Sequence, residues 1–280
     1  MNQKDSDVLK QFDLTDRIAI ITGGAGLLGV KHAEAIASAG GIPVLVDINR
    51  ERILKTARDI EKKFNKPALG IHADITRKDH WDKIVEDVIG KFGHIDILIN
   101  NAANNPKVDK NPSKNFTRLE HFPLEQWNAD FAVNVTGAFL GCQAVGKVMA
   151  KQKKGVIVNI ASDLAVIAPD QRIYRKEKVP EDRQNTKPVS YSVTKHALIG
   201  LTKYLATYWA RSGIRVNALS PGGVYVDQEK NFVSKLTDLI PMGRMATPSE
   251  YQAALLFLCS DASSYMTGHN LVIEGGRTVW

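Results

Sequence analysis

The sequence contains little cysteine and no long apolar run. Its two cysteines, Cys142 and Cys259, lie far apart and lack the close spacing of metal ligands. This argues against a disulfide framework or a metal centre and favours a reducing compartment. The first 13 residues have no apolar core of the kind that a signal peptide needs, and the apolar stretch over residues 18–30 is interrupted by four glycines and is too short to cross a bilayer. We therefore expect a cytoplasmic protein with no membrane contact.

Basic residues exceed acidic ones, 37 against 30, but they are not gathered in the way that nucleic-acid binding requires. Four lysines between residues 147 and 154 lie at the end of a predicted helix, where cations suit the helix dipole. A second basic cluster, over residues 170–187, is interleaved with four acidic residues. We expect no nucleic-acid partner.

Apolar strand-like runs alternate with amphipathic helical patterns over most of the chain. The runs are continuous apolar stretches and do not alternate apolar with polar residues, which is typical of a parallel sheet covered on both faces. They span residues 18–22, 43–47, 68–73, 95–100, 156–161, 215–220 and 270–273, and the helical patterns span residues 27–39, 50–64, 79–92, 124–151, 190–211 and 249–259. This order predicts a single α/β domain over residues 1–280, a Rossmann-type doubly wound sheet of seven parallel strands flanked by helices.

The first predicted strand ends in a turn that contains Gly23, Gly26 and Gly29, and a helical pattern follows at once. Glycines at such a turn let the backbone approach a pyrophosphate, and the helix N-terminus supplies N–H groups and partial positive charge. A merely flexible turn would contain the same residues, but the position in the first β–α–β unit favours a dinucleotide site.

The second predicted strand ends at Asp47, eighteen residues after Gly29. An acidic residue at such a spacing accepts a hydrogen bond from the ribose 2′-hydroxyl and repels a 2′-phosphate, so it predicts NAD rather than NADP. Asp47 can also serve as the N-cap of the next helix, and Arg50 lies near enough in sequence to attract a phosphate.

A candidate proton-transfer pair opens the helix predicted over residues 190–211. Tyr191 and Lys195 are four residues apart and share one helix face. An ammonium group beside a tyrosine lowers the phenol pKa from its usual value of about 10, which lets the phenol exchange a proton with an alcohol or a carbonyl. Ser162 directly follows a buried strand pattern, where strand ends face the ligand crevice. Taken singly, the pair can be surface decoration and the serine a helix cap.

Together these motifs resemble the single-domain branch of the short-chain dehydrogenase/reductase family over almost the whole chain. The matching segments are the glycine turn, Asp74, Asn100-Asn101-Ala102-Ala103, Val133-Asn134-Val135, Ser162, Tyr191, Lys195 and Pro221-Gly222. The resemblance implies that Tyr191 is the general acid/base, that Lys195 binds the nicotinamide ribose and lowers the tyrosine pKa, and that Ser162 orients the substrate oxygen. It also implies that Asn134 maintains a helix kink and binds a water molecule that connects Lys195 to solvent.

The same resemblance implies the cofactor contacts. Besides Tyr191 and Lys195, they would come from Gly23, Gly26, Leu27, Leu28, Gly29, Asp47, Asp74, Ile75, Asn101, Ala102, Ala103, Pro221, Gly222 and Val224. Three positions depart from the family pattern: Leu27 and Ala103 each replace a glycine, and Val226 stands where a threonine often bonds the nicotinamide carboxamide. Anchoring of the carboxamide would then fall to backbone groups such as those of Val224.

Ser162 and Tyr191 are 29 residues apart, a wider gap than the family usually has. The extra stretch, at about residues 164–189, emerges beside the predicted active site. Because arginine suits planar recognition of phosphate or carboxylate, we hypothesise that Arg172 or Arg175 contacts an anionic substrate. A solvated loop or a subunit contact explains the same residues equally well.

A narrower resemblance is carried by residues 161–172, 220–225 and 240–245. These segments are similar to bacterial oxidoreductases of surface-polysaccharide and flagellin-glycan biosynthesis, of the flagellin modification protein A type, which implies a sugar-derived substrate. The leading prediction is an NAD(H)-dependent alcohol/ketone oxidoreductase that acts on a sugar-like small molecule.

Three other functions stay open. The first is reduction of a 3-oxoacyl-carrier-protein thioester, against which Asp47 argues because that reaction normally uses NADPH. The second is a gluconate or glucose dehydrogenase activity. The third is a catalytically silent NAD-binding regulator, against which the complete set of Ser162, Tyr191, Lys195 and Asn134 argues. Residues 124–151 and 190–211 resemble the family's dimer-forming helices and residues 267–276 a segment that packs in tetramers, so we expect a homodimer or homotetramer.

Overall fold

The structure, a computed structural model, describes residues 7–105 and 117–280. Seven parallel strands form one sheet in the spatial order β3-β2-β1-β4-β5-β6-β7. The strands are β1 (Ile18–Thr22), β2 (Ile42–Asp47), β3 (Leu69–His72), β4 (Ile97–Asn100), β5 (Gly155–Ile160), β6 (Ile214–Pro221) and β7 (Asn270–Ile273). Each strand begins and ends within two residues of a predicted run, and the predicted doubly wound sheet is confirmed.

The α-helices of the described residues are α1 (Leu27–Ser38), α2 (Arg50–Phe64), α3 (Lys78–Phe92), α4 (Leu124–Phe131), α5 (Gly137–Gln152), α6 (Val189–Trp209), α7 (Lys230–Thr237) and α8 (Gln252–Cys259). Helix α7 has no counterpart among the predicted helices. None of the helices in the described part of the chain combines the length and apolarity that a bilayer-crossing segment needs.

The helical pattern over residues 124–151 forms two α-helices. A π-helical turn, Ala132–Thr136, separates α4 from α5. Its Asn134 accepts a hydrogen bond from the Asn104 amide at 2.6 Å and donates to the Asn104 carbonyl and the Thr194 hydroxyl, each at 3.0 Å. Because these partners lie outside the helix, the wider turn that brings Asn134 to them is maintained by tertiary contacts. The turn lies at the position where the family resemblance implies a helix kink.

Apolar side chains cover the sheet on both faces. Alternate residues of β1 point to opposite sides, so that Ala19 and Ile21 belong to one buried cluster and Ile18 and Ile20 to the other. The first cluster is completed mainly by α1, α2 and α8, and the second by α3, α5 and α6. Burying each large side chain contributes about 1.5–3 kcal/mol, and the two layers fix the sheet edge from which the functional loops emerge.

The strand order reverses between β1 and β4, which leaves a crevice beyond their carboxyl ends. Asn101 directly follows β4 and lies at the bottom of this crevice. Its side-chain amide donates to the carbonyls of Thr22 at 2.9 Å and Gly23 at 3.2 Å, while the Thr22 hydroxyl accepts from the Asn101 amide at 3.0 Å. These bonds hold the glycine turn against the neighbouring strand.

Candidate active site

A cleft of about 710 Å³ runs along the carboxyl edge of the sheet, within the size range of small-molecule sites. Most of the residues predicted from the sequence line it: Gly23, Gly26, Leu27, Leu28, Asp47, Asp74, Ile75, Asn101, Ala102, Ala103, Ser162, Tyr191, Lys195, Pro221, Gly222 and Val224. Gly29 and Asn134 lie behind the residues that line the cleft.

The glycine turn fits the close approach of a pyrophosphate. Gly23 has a φ of +62°, and a Cβ atom there would lie 2.9 Å from the Ala102 Cα. A Cβ at Gly29 would lie 2.1 Å from the Gly23 carbonyl oxygen, so only glycine lets α1 start this close to β1. Helix α1 begins at Leu27 after Gly26, with no side-chain cap on its first N–H groups. Those groups and the helix dipole suit a phosphate.

Asp47 lies at the adenosine end of the cleft. Its carboxylate accepts from the Ala25 amide at 3.1 Å and the Asn49 amide at 2.9 Å. The N-cap of α2 is Asn49, whose side chain accepts from the Arg52 amide at 3.0 Å. The alternative interpretation of Asp47 as that cap is therefore wrong, and its carboxylate lies at the end of β2, where the sequence predicts a ribose contact.

Two side chains of the next turn complete this end of the cleft. Asp74 follows β3 and lines the cleft, and one of its carboxylate oxygens accepts from the amide and the hydroxyl of Thr76 at 2.9 and 2.7 Å. Ile75 packs beside it. These residues and the glycine turn fit a dinucleotide; NAD would be held by the α1 N-terminus at its pyrophosphate and by Asp47 at a ribose.

The proton-transfer residues converge from three elements. Ser162 follows β5, Tyr191 and Lys195 lie in the first two turns of α6, and Asn134 reaches α6 through Thr194. The Lys195 ammonium donates to the Ile160 carbonyl at 2.7 Å and lies 5.7 Å from the centroid of the Tyr191 ring. The predicted proton-transfer residues therefore lie close together, and the hydrogen bond of Lys195 links α6 to the end of β5.

The acidities of this pair differ from the expectation for Tyr191. Burial raises the pKa of Tyr191 to about 12, although a hydrogen bond with Ser162 opposes the shift. Burial, with repulsion from Lys187, lowers the pKa of Lys195 to about 8. The shift of the Tyr191 pKa is therefore opposite to the one expected from Lys195, because desolvation disfavours the phenolate. The phenol is protonated at neutral pH.

A buried ion pair adjoins the serine. The Ser162 hydroxyl donates to one carboxylate oxygen of Asp163 at 2.8 Å, and Arg277 donates to the other at 2.7 Å. Both charged side chains are almost fully buried and both residues line the cleft. Such a pair is rigid, because removing either partner leaves an uncompensated buried charge. Neither residue is among the predicted site residues, although Asp163 lies in a segment of the narrower resemblance.

The insertion folds as three short 3₁₀ segments, Asp163–Ala165, Gln171–Tyr174 and Glu181–Arg183. Arg172 pairs with Asp170 at 2.6 Å and Arg175 with Glu181 at 2.7 Å. Neither arginine is among the described residues that line the cleft. The basic residue that the insertion does bring into the cleft is Lys187, whose ammonium lies 3.9 Å from the centroid of the Tyr191 ring.

Other lining residues were missed by sequence reasoning. Among them are Ile173 and Tyr174 of the insertion, Phe232 and Leu236 of α7, Met245 and Arg277. The apolar pair Phe232 and Leu236, four residues apart, was the available signal for α7. At the nicotinamide end, Gln228 donates to the Val224 carbonyl at 2.7 Å and accepts from the Val226 amide at 2.8 Å. The Val224 carbonyl is therefore already engaged, which limits the backbone anchoring expected there.

This fold and this cleft define an enzyme that uses a dinucleotide to oxidise alcohols or reduce ketones. The model of a family described as enoyl-(acyl carrier protein) reductase matches residues 25–278. An NAD-dependent glycerol dehydrogenase of Listeria innocua is 33% identical over 276 residues, which is 96% of this chain and 97% of that protein.

Two solved structures are similar over nearly their full lengths. A short-chain type dehydrogenase/reductase from Mycobacterium marinum has a TM-score of 0.83 at 33% identity and covers 97% of this chain and 99% of its own. A gluconate 5-dehydrogenase from Burkholderia cenocepacia, in complex with NADP and tartrate, has a TM-score of 0.84 at 29% identity, with 97% and 99% covered. The chain belongs to the short-chain dehydrogenase/reductase family, as a short-chain alcohol dehydrogenase/ketoreductase.

Proposed function

We propose that the protein interconverts a secondary alcohol and a ketone on a sugar-derived, polyhydroxylated substrate with NAD(H). The observation that carries this is the convergence of Ser162, Tyr191 and Lys195 on the cleft that also contains the glycine turn and Asp47. The assignment to surface-polysaccharide biosynthesis is part of this proposal and rests on the narrower sequence resemblance alone. The free, buried thiols of Cys142 and Cys259 suit a cytoplasmic location.

In the mechanism, Tyr191 carries the proton and Ser162 orients the substrate oxygen. NAD would bind in the same cleft and would supply the acceptor for the hydride of the carbinol carbon. In reduction, the protonated phenol donates to the ketone oxygen, for which its pKa of about 12 leaves it ready at neutral pH. In oxidation, the phenol must first be ionised to accept the hydroxyl proton. Rising pH therefore favours oxidation, and falling pH favours reduction.

Support for a polyhydroxylated substrate comes from the relatives. One is named for glycerol, and another for gluconate with tartrate in its structure. Support for NAD comes from Asp47, since a carboxylate at the ribose repels a 2′-phosphate; the glycerol dehydrogenase is NAD-dependent, whereas the gluconate enzyme was solved with NADP. An acyl-thioester substrate is the rival that the family model's description suggests.

An assay of the purified protein against a panel of substrates tests this proposal. We expect NADH to form from polyols, aldonates or sugar phosphates, with kcat/KM for NAD at least about tenfold above that for NADP. Reduction of a 3-oxoacyl thioester with NADPH, faster than any sugar-derived substrate, would contradict the proposal. A protein that binds NAD but turns over no substrate would support the silent regulator instead.

We also propose a homodimer or homotetramer built on α5 and α6. Tyr204 and Tyr208 on α6 are 64% and 66% exposed and stack at 5.9 Å, and Phe139 on α5 is 46% exposed. Large exposed aromatics on adjacent elements are typical of an interface. Sedimentation velocity is expected to give a mass of twice or four times the 30.8 kDa chain; a single species at the monomer mass would contradict it.

A further inference from the structure

We propose that Lys187 and Arg277 form an anion-binding subsite at the substrate end of the cleft, and that the substrate carries a carboxylate or phosphate close to its reacting hydroxyl. This rests on the proposed function and names the substrate class for the same cleft. Five observations lead to it: the position of Lys187, its partners, the donors of Arg277, the distribution of charge, and the pairing of the other insertion arginines.

Lys187 lies directly beside the reacting centre. Its ammonium is 3.9 Å from the centroid of the Tyr191 ring, so an anion bound to it lies close to the hydroxyl that Tyr191 serves. The end of the insertion is anchored there, because the Lys187 amide donates to the Gln171 side chain at 2.8 Å. The ammonium is thereby held in the cleft by folded structure.

The partner of this ammonium is neutral. Lys187 donates to the Asn105 side-chain oxygen at 2.8 Å, and no carboxylate of residues 7–105 or 117–280 forms an ion pair with it. An ammonium has three donors, so at least one is left for a ligand. Burial lowers the pKa of Lys187 to about 8, although the charge of Asp163 opposes the shift; a bound anion would offset the remaining cost of burial.

Arg277 supplies planar donors on the same cleft. One terminal nitrogen donates to Asp163 at 2.7 Å, which fixes the guanidinium without using all of its five N–H groups. Fixed guanidinium donors suit the flat, two-oxygen face of a carboxylate or phosphate. Because Asp163 also accepts from Ser162, the guanidinium is positioned relative to the catalytic serine.

Charge along the cleft is divided between its ends. The described acidic residues Asp47 and Asp74 line the adenosine end, whereas the substrate end contains Lys187, Lys195 and Arg277 against the single carboxylate of Asp163. By contrast, Arg172 and Arg175 already have carboxylate partners outside the cleft. An acidic substrate therefore complements the substrate end, where the single carboxylate of Asp163 faces three cations and already pairs with Arg277.

Calorimetric binding to the protein saturated with NADH tests this without turnover. The probes are D-glucitol, which is neutral, D-gluconate, which has a carboxylate on the same carbon chain, and D-glucitol 6-phosphate. We expect at least one of the two anions to bind about 10- to 100-fold more tightly than glucitol, as a charge-assisted hydrogen bond allows. The stronger anion identifies whether the group is a carboxylate or a phosphate.

Variants assign the effect to the subsite. Lys187→Met should reduce the preference for the anion to within about threefold of glucitol, and Lys187→Arg should restore most of it. Arg277→Lys, which keeps a cation for Asp163 but loses the planar donors, should weaken the anion about 3- to 10-fold. Lys178→Met removes the same charge from an exposed position of the same insertion and should leave the preference unchanged; circular dichroism and melting curves verify folding of all four.

The outcomes separate the two proposals. Equal affinity of wild-type protein for glucitol and both anions would overturn the subsite, as would an equal loss of preference in Lys187→Met and Lys178→Met. Failure of the proposed function would show instead as the absence of NADH formation from every polyol, aldonate and sugar phosphate, whatever the calorimetry gives.

Discussion

Replacing Tyr191 by phenylalanine is expected to lower kcat by about 10²- to 10⁴-fold while leaving NADH affinity within about threefold of wild type. The change removes one oxygen from a side chain that lies in the cleft with Ser162 and Lys195, and it leaves the ring, and hence the packing under Lys187, in place. Loss of the phenol hydroxyl beside Ser162 and Lys195 removes the proposed proton donor for reduction and acceptor for oxidation. Steady-state rates in both directions and NADH fluorescence titration measure the two quantities.

Tyr204→Phe is the matched control. Tyr204 lies on the same helix, α6, but is exposed and outside the cleft, so the same chemical change there should alter kcat by less than about twofold. Equal effects of the two substitutions would show that Tyr191 acts through the helix and not through its hydroxyl. Retention of full turnover in Tyr191→Phe would remove Tyr191 from the mechanism.

The architecture was accessible from the sequence because local and global signals agree. Buried strands of a parallel sheet must be apolar on both faces, so the runs at β1, β4 and β5 were visible as continuous hydrophobic segments. The glycine turn is equally local, since Gly23 and Gly29 are demanded by backbone contacts within and beside one β–α unit. Tyr191 and Lys195 share a face through helix geometry alone.

Other features depend on contacts between distant segments. The π-helical turn at Asn134 exists because that side chain bonds Asn104 and Thr194, which are 30 and 60 residues away. Arg277 reaches Asp163 across 114 residues. In the insertion, Arg172 and Lys187 look alike as charges. Arg172 pairs locally with Asp170, two residues away and outside the cleft, whereas folding of the insertion brings Lys187 against the Tyr191 ring.

The pKa of Tyr191 likewise depends both on the local sequence and on the tertiary structure. A lysine four residues away predicts a lower phenol pKa, but the sequence does not state how deeply the pair is buried. Burial raises the pKa of Tyr191 to about 12 and lowers that of Lys195 to about 8. Desolvation disfavours the phenolate of Tyr191 and the ammonium of Lys195. Its effect on each pKa exceeds any electrostatic stabilisation between the two charged groups.

Asp47→Asn is expected to reverse or abolish the preference for NAD over NADP. The substitution keeps the size of the side chain and an oxygen that can accept from the Ala25 or Asn49 amide, but it removes the charge that repels a 2′-phosphate and that accepts strongly from a ribose hydroxyl. Losing a hydrogen bond to a charged group costs about 1.5–3 kcal/mol, so kcat/KM with NAD should fall about 10- to 100-fold. With NADP it should hold or rise, and rates with each cofactor give the ratio.

Glu51→Gln separates the position of the charge from its mere presence. Glu51 lies in the first turn of α2, exposed and outside the cleft lining, only four residues from Asp47. It changes the net charge of the region as Asp47→Asn does, yet it contacts no part of the cleft, so the cofactor ratio should move by less than about twofold because exposed charges are screened. If Glu51→Gln shifts the ratio of kcat/KM with NAD to that with NADP as far as Asp47→Asn does, the cofactor preference is determined by the long-range electrostatic field and not by a contact with the ribose. A wild-type ratio that already favours NADP would instead assign the phosphate to Arg50, and Arg50→Ala would then lower kcat/KM with NADP alone.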